Sequence, residues 1–248
     1  MGDKKKDTKT AGIIIIGNEI LTGKVHDENS FFLTSELWSL GVQVKRVSII
    51  PDEISVIARE VIEFSNAFTY VFTTGGVGPT HDDVTMKGIA QGFGVRLVQN
   101  PEIKNVLDTK FGSTSNDSVL KMADLPDKAE VIFHQKMRFP VVAYKNIYIF
   151  PGIPEYLRSK FSLIKNRFIS SPFYLKRIFL NIHESEIAGI LSDVLSEHNN
   201  VSIGSYPVVG DQDYRVVVTL ESKISDSLNN AFNDLKEKLP EGIIVREE

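Results

Sequence analysis

The segment from Thr73 to Asp83 carries the densest group of residues that could act on a ligand. It holds three glycines within four positions and ends in two adjacent carboxylates. Glycines let the backbone approach a ligand closely, and successive N–H groups can form a nest that binds an anion such as phosphate. The pattern therefore predicts an anion-binding turn. Its residues are Gly75, Gly76 and Gly78, then Thr80, which adds a hydroxyl, and Asp82 and Asp83.

Two adjacent carboxylates beside a phosphate site need an explanation, because like charges repel. One resolution is a divalent cation that bridges carboxylate and phosphate oxygens; the other is an aspartate that caps the following helix. Glu19 and Asp52 are expected beside these aspartates, at the same edge of the sheet that is predicted below. This favours a metal held by Asp82, Asp83 and Glu19. Oxygen ligands accept Mg²⁺, Mn²⁺ or Co²⁺. Asp82 or Asp83 could alternatively act as a general base.

Alternating strands and helices position these residues. The β-branched run Ile13–Ile16 predicts a central strand, and Val42–Ile50 and Phe68–Thr74 predict two more, each followed by apolar residues at helical spacing. This alternation requires crossover connections and so a mainly parallel sheet, whose ligands bind beyond the carboxyl ends of its strands. Three polar segments are therefore predicted to meet at one edge. They are Gly17–Asn29, Asp52 and Thr73–Asp83.

A change of pattern occurs at Ser170-Ser171-Pro172. Beyond it the residues predict strand, helix, strand, strand, helix, strand, which is the order of a ferredoxin-like unit. We therefore expect a disordered tail over residues 1–10, an α/β domain over residues 11–169, and a ferredoxin-like subdomain over residues 173–248.

Composition excludes several classes of protein. The 28 Lys and Arg residues against 32 Asp and Glu argue against a protein that holds a nucleic-acid backbone. The absence of cysteine excludes thiolate nucleophiles, cysteine-ligated zinc and iron–sulfur clusters. The apolar run Ile13–Ile16 is far shorter than the roughly 20 residues of a spanning helix. We therefore expect no membrane partner and a cytoplasmic location.

Three stretches of the sequence together carry a resemblance to a known family. They are Gly17-Asn18-Glu19-Ile20-Leu21-Thr22-Gly23, Asp27-Glu28-Asn29 and Gly75-Gly76-Val77-Gly78-Pro79-Thr80-His81-Asp82-Asp83. These stretches are similar to the molybdopterin-binding-like (MoaB/Mog) family, in the branch shared by bacterial CinA proteins and the N-terminal domain of eukaryotic FAD synthase.

Further stretches extend the resemblance from about Ala11 to Val245. Pro151-Gly152-Ile153-Pro154-Glu155 matches the second turn of this branch, and Gly204-Ser205-Tyr206-Pro207 and Arg138-Phe139-Pro140 resemble the FAD synthase version. The resemblance implies a MoaB/Mog-like α/β fold, with three layers around a mainly parallel sheet, and a C-terminal α+β ferredoxin-like subdomain.

The resemblance also implies which residues form the site. It places phosphates on Gly75, Gly76, Gly78 and Thr80, and metal or catalytic roles on Asp82 and Asp83. The other substrate-binding positions that it implies are Gly17, Glu19, Gly23, Asp27, Asn29, Asp52, Pro151 and Gly152.

Members of this branch are associated with metal-dependent hydrolysis of pyrophosphate bonds. The resemblance therefore implies a nucleotide pyrophosphatase, with FAD, split into FMN and AMP, favoured over ADP-ribose. Two alternatives stay open: a non-catalytic module that binds a flavin or pterin nucleotide, and adenylylation of molybdopterin. Because all these ligands join an anionic phosphate to a flat ring system, the fold alone does not choose between them.

The resemblance implies partners as well. It implies that this chain forms a homo-oligomer. A full FAD synthase carries a further C-terminal domain that transfers an adenylyl group to FMN, and the sequence ends at Glu248 without it. If the chain is complete, we expect that it does not make FAD; if it is a part of a longer protein, that protein could. As a regulatory module, it would act with an FMN adenylyltransferase domain or partner.

Overall fold

The computed structural model describes residues 8–112, 116–137, 139–210 and 213–248. The chain divides into two compact units between Ser170 and Ser171. Thr10 already belongs to the first strand, and the Lys9 carbonyl accepts a hydrogen bond from the Gln43 N–H at 2.9 Å. Residues 1–7 of the predicted tail lie outside the described residues.

The N-terminal unit is built on a six-stranded sheet in the order β2-β1-β3-β8-β7-β6. The first four of these strands run parallel, and β7 runs antiparallel to both of its neighbours. Strands β4 and β5, which the sequence did not predict, pair in a separate two-stranded sheet. The strands are β1 (Thr10–Ile16), β2 (Gln43–Ile50), β3 (Tyr70–Thr74), β4 (Leu97–Gln99), β5 (Asp124–Pro126), β6 (Glu130–Ile132), β7 (Val141–Tyr144) and β8 (Ile147–Phe150).

Seven helices accompany these strands in the described part of this unit. They are α1 (Asn18–Leu21), α2 (Asn29–Ser39), α3 (Ile54–Ala67), α4 (Thr85–Gly92), α5 (Pro101–Phe111), α6 (Asp117–Leu120) and α7 (Pro154–Ile164). The helical turn α1 lies where the sequence analysis expected only a polar loop. Among the described residues, no helix is both long and apolar enough to cross a membrane.

Helices cover both faces of the six-stranded sheet. Ile13 and Ile15 pack in the same buried cluster as residues of α2 and α7, whereas Ile14 and Ile16 pack with residues of α3 and α4. Alternate residues of a strand point to opposite faces, so an unbroken apolar run is what a strand between two helical layers requires. The predicted three-layer α/β fold is therefore confirmed.

The C-terminal unit is a four-stranded antiparallel sheet in the order β10-β11-β9-β12. Its elements follow the chain order strand, helix, strand, strand, helix, strand, and the helices pack on the sheet around Ile187, Val194 and Phe232. This order and pairing confirm the ferredoxin-like fold. The elements are β9 (Tyr174–Leu180), α8 (Glu184–Glu197), β10 (Ser202–Pro207), β11 (Val216–Ser222), α9 (Ser225–Lys238) and β12 (Ile244–Glu247).

Candidate functional site

The carboxyl ends of β1, β3 and β8 lie side by side in the N-terminal unit. Ile15 is in register with Thr74, and Thr74 is in register with Phe150. The backbone continues this alignment past the strands, since the Gly75 N–H donates to the Phe150 carbonyl at 3.2 Å. The segments that follow these strands therefore meet at one edge, as parallel strands require.

The glycine turn after β3 is held tightly against the sheet. Gly75 and Gly76 have φ angles of +102° and +63°, a region that favours glycine. A Cβ on Gly75 would collide with the Ile16 carbonyl oxygen, and a Cβ on Gly76 would collide with the Thr85 hydroxyl. Thr85 in turn donates from its hydroxyl to the Gly75 carbonyl at 2.9 Å. These two glycines are thus required by the packing of the turn, whatever ligand it binds.

Asn29 joins this turn to the second turn after β8. The side chain of Asn29 is 7% exposed, and its Nδ2 donates to the Gly152 carbonyl at 2.7 Å and to Thr74 Oγ1 at 3.0 Å. The Thr74 hydroxyl donates onward to the Pro151 carbonyl at 2.9 Å. Asn29 therefore fixes the spacing between the two turns.

Other predicted binding residues have local structural roles. Asp27 Oδ1 accepts the Asn29 and Ser30 N–H groups, at 2.9 and 3.1 Å, and so satisfies the first two backbone donors of α2. Gly23, with a φ of +67°, terminates the turn that follows α1. Gly17 is close-packed because the Glu19 carboxylate folds back over it.

The adjacent aspartates differ in their surroundings. Asp83 Oδ2 accepts the Thr80 N–H at 2.8 Å and also the Thr80 hydroxyl, so both groups are used to close the loop. Lys121 Nζ supports this loop by donating to the Thr80 and Asp83 carbonyls at 2.9 and 3.1 Å. Asp82 is exposed; its pKa is lowered, first by the neighbouring Thr80 hydroxyl and then by its own backbone N–H. Asp83 does not cap α4, whose N-cap is Val84.

The surrounding carboxylates affect the pKa of Asp52. Its Oδ2 accepts the Asn18 N–H at 2.8 Å, and a Cβ on Gly76 would lie 3.5 Å from its Oδ1. Burial raises the pKa of Asp52, the Asn18 hydrogen bond opposes that rise, and the negative charges of Glu19, Asp82 and Asp83 add to it. The acidic residues of this edge are therefore close enough to repel one another.

The predicted metal ligands do not converge on one point. In the described part of the chain, the one group of three acidic or histidine side chains close enough to share an ion is Glu197, His198 and Asp234, in the C-terminal unit. Lys238 Nζ already lies 3.0 Å from Glu197 Oε1 and 3.1 Å from Asp234 Oδ2. The Lys238 ammonium therefore already supplies a positive charge to that group.

A cavity of about 630 Å³ opens beside the glycine turn, within the range of small-molecule sites. Its walls combine apolar side chains with lysines and a few carboxylates. Of the predicted residues, those that line it are Glu19, Gly75, Gly76, Gly78, Asp83, Pro151 and Gly152. Asp27 and Asn29 line a smaller adjoining cavity of about 50 Å³. Gly17, Gly23, Asp52, Thr80 and Asp82 line neither.

Sequence reasoning missed the cationic and apolar walls of the cavity. The lysines come from separate elements, so no spacing along the chain connects them. They are Lys87, Lys110, Lys121 and Lys160, and the apolar wall includes Leu97, Leu107, Met122, Val142 and Ile149. One signal was available, because Phe139 and Pro140 line the cavity and belong to a stretch that the sequence analysis singled out. Arg138 lies outside the described residues.

Two known protein families match this chain, one for each unit. Residues 12–171 match a family described as a probable molybdopterin binding domain, and residues 172–248 match the middle domain of FAD synthase. Among solved structures, the protein CinA from Thermoplasma acidophilum, a protein of unknown function, is 27% identical with a TM-score of 0.61. The similarity covers 65% of this chain and all of that one.

Curated relatives match this chain along most of its length. A probable FAD synthase from Caenorhabditis briggsae is 33% identical over 93% of this chain and 50% of its own length. A CinA-like protein from Prochlorococcus marinus strain MIT 9312 is 28% identical over 94% of this chain and 58% of its own length. The chain thus spans about half the length of these relatives. The chain belongs to the molybdopterin-binding-like family, in a form similar to CinA proteins and to FAD synthases, and its residues 172–248 are similar to the middle domain of FAD synthase.

Proposed function

We propose that the N-terminal unit binds a nucleotide that carries two phosphates and a flat ring, FAD before ADP-ribose, and hydrolyses its pyrophosphate bond. The observation that carries the proposal is the cavity itself, which places the glycine turn, lysines and an apolar wall in one space. Lysines and backbone N–H groups suit phosphate, and the apolar wall suits a ring. The similarity to proteins named FAD synthase supports FAD as the first choice.

The carboxylates suit a cation that enters with the phosphates better than a cation held by the protein alone. Glu19, Asp82 and Asp83 do not form a three-ligand group, yet the acidic residues of this edge repel one another. Mg²⁺ is usually bound by one or two carboxylates together with substrate phosphates, and Mn²⁺ or Co²⁺ are the alternatives. When bound, such an ion would neutralise the phosphates and acidify a water molecule. Asp83 is the better candidate for the general base, because it lines the cavity and Asp82 does not.

Product analysis by mass spectrometry tests this proposal. Purified protein is incubated with FAD or ADP-ribose, with and without Mg²⁺ or Co²⁺. We expect FMN and AMP from FAD only when the metal is present, and a loss on the order of 100-fold in Asp83→Asn. Asp127→Asn is the matched control, since Asp127 is a carboxylate outside the cavity. Undiminished turnover in a folded Asp82→Asn/Asp83→Asn double variant would refute the hydrolytic mechanism.

A second function is favoured by one observation, the failure of the predicted metal ligands to converge. In that alternative the cavity binds a flavin or pterin nucleotide without cleaving it and acts with an FMN adenylyltransferase, as a further domain or as a partner. FAD binding that needs no metal and yields no product would select it. The predicted homo-oligomer is tested separately by light scattering, and the predicted cytoplasmic location by fractionation of cells.

A further inference from the structure

Lys160, on α7, holds a fixed position in the wall of the cavity. Its Nζ donates to the Phe139 carbonyl at 2.8 Å and to the Pro140 carbonyl at 2.7 Å. The same ammonium lies 5.1 Å from the centre of the Phe139 ring. An ammonium has three N–H donors, so these two bonds leave one for a ligand.

No carboxylate forms an ion pair with Lys160 in the part of the chain that the structure describes. The next lysine along the chain, Lys165, pairs with Glu36 Oε2 at 3.1 Å. Withdrawing a charge from water without a counter-ion is unfavourable, and carbonyl dipoles offset that cost only in part. Burial, and to a lesser degree the positive charge of Lys110, accordingly lower the pKa of Lys160 to about 8.

We propose that Lys160 binds an anionic group of the ligand, a phosphate in a nucleotide, and that Phe139 and Pro140 hold its ammonium in place for this contact. The proposal rests on the proposed function, since it assumes that the cavity takes a nucleotide. It adds a cationic contact from the α7 side of the cavity to the backbone contacts of the glycine turn. An ammonium suits this role because it approaches phosphate oxygens as a compact charge.

Calorimetric titration of the whole chain with inorganic pyrophosphate and with FAD tests the role of Lys160. The variants are Lys160→Met, Lys160→Arg, which keeps the charge, and Lys145→Met. Lys145 is the matched control, because its Nζ lies 4.3 Å from the Phe93 ring centre and it does not line the cavity. We expect Lys160→Met to weaken pyrophosphate binding roughly tenfold or more. Lys160→Arg should restore most of the affinity, and Lys145→Met should leave it unchanged.

The outcomes separate this inference from the proposed function. Equal pyrophosphate affinity in Lys160→Met and the parent chain overturns the inference, and so does a parent chain that does not bind pyrophosphate. If the parent chain binds pyrophosphate through Lys160 but does not bind FAD, the inference stands and the proposed function fails. Thermal unfolding verifies that each variant folds. Should Lys160→Met not fold, Lys160→Gln gives the same comparison, since its amide still donates to a carbonyl but carries no charge.

Discussion

Lys160 in the N-terminal unit and Lys238 in the C-terminal unit have opposite electrostatic surroundings. Lys238 donates to Glu197 and Asp234, and these bonds, that to Glu197 foremost, raise the pKa of Lys238. Lys160 contacts two carbonyls and an aromatic ring, and its pKa falls to about 8. Lys238 therefore has two carboxylate partners, whereas Lys160 has no carboxylate partner among the described residues. This difference supports the proposal that the ligand binds to the N-terminal unit.

The largest expected effect contrasts one glycine from each unit. Gly75→Ala forces a side chain into a left-handed conformation and against the Ile16 carbonyl, so we expect the free energy of unfolding to fall by about 2 kcal/mol or more. Gly189 lies in α8 with open space around it, and Gly189→Ala should instead stabilise the C-terminal unit by up to about 1 kcal/mol. Urea unfolding measures both changes.

The single tryptophan allows unfolding of the N-terminal unit to be followed separately. Trp38 lies on α2, so its fluorescence reports unfolding of the N-terminal unit, while far-ultraviolet circular dichroism reports both. We also expect Gly75→Ala to lose most of its affinity for FAD. A Gly75→Ala protein as stable as the parent chain would show that the turn is not packed as described.

A smaller effect is expected where Asn29 joins the two turns. Asn29→Ala leaves the Gly152 carbonyl without its donor and removes the bond to Thr74, which should lower the free energy of unfolding by roughly 2 kcal/mol. FAD binding should weaken with it, because the turns lose their fixed spacing. Asn105→Ala, on the exposed side of α5, is the control and should be neutral. Equal stability of the two variants contradicts the role given to Asn29.

Lys160, which has no carboxylate partner among the described residues, should make ligand binding depend on pH. Lys160 is charged below its pKa of about 8 and neutral above it, so affinity for FAD should fall as pH rises from 7 to 9. Loss of one charged hydrogen bond predicts a decrease of about tenfold. The positive charge of Lys110 also acts on the Lys160 ammonium and contributes to its lowered pKa. Lys160→Arg stays charged throughout and should bind FAD equally at both pH values; a decrease of the same size in that variant would contradict this assignment.

The smallest effect on stability and binding is expected at Lys238. Lys238→Met removes two hydrogen bonds at the protein surface, where ion pairs contribute little to stability. We expect a slightly lower melting temperature and no change in FAD affinity. If FAD affinity fell as far as in Lys160→Met, the contrast between the two lysines would be wrong.

Much of the fold could be predicted because its signals are local. The run Ile13–Ile16 and the helical stripes of α2 and α3 are readable from periodicity alone. The helical turn α1 and the paired strands β4 and β5 were missed, since each is short and is stabilised by contacts that periodicity does not record.

The candidate site was predictable only in part. The order of strands sufficed to bring the glycine turn, Asp52 and the Gly17–Asn29 segment to one edge. The direction of each side chain was not predictable, and Asp83 turns inward to Thr80 rather than toward the other carboxylates. Lys160 was missed for the same reason, since only the folded chain brings α7 against Phe139 and Pro140.

Hydrogen–deuterium exchange of the parent chain with and without FAD would show which of the two units binds the ligand. We expect slower exchange in the peptides that contain Gly75–Gly78 and Pro151–Pro154, with unchanged exchange from β9 to β12. Protection confined to the C-terminal unit, or bound FAD that leaves the glycine turn unprotected, would show that FAD does not bind beside this turn.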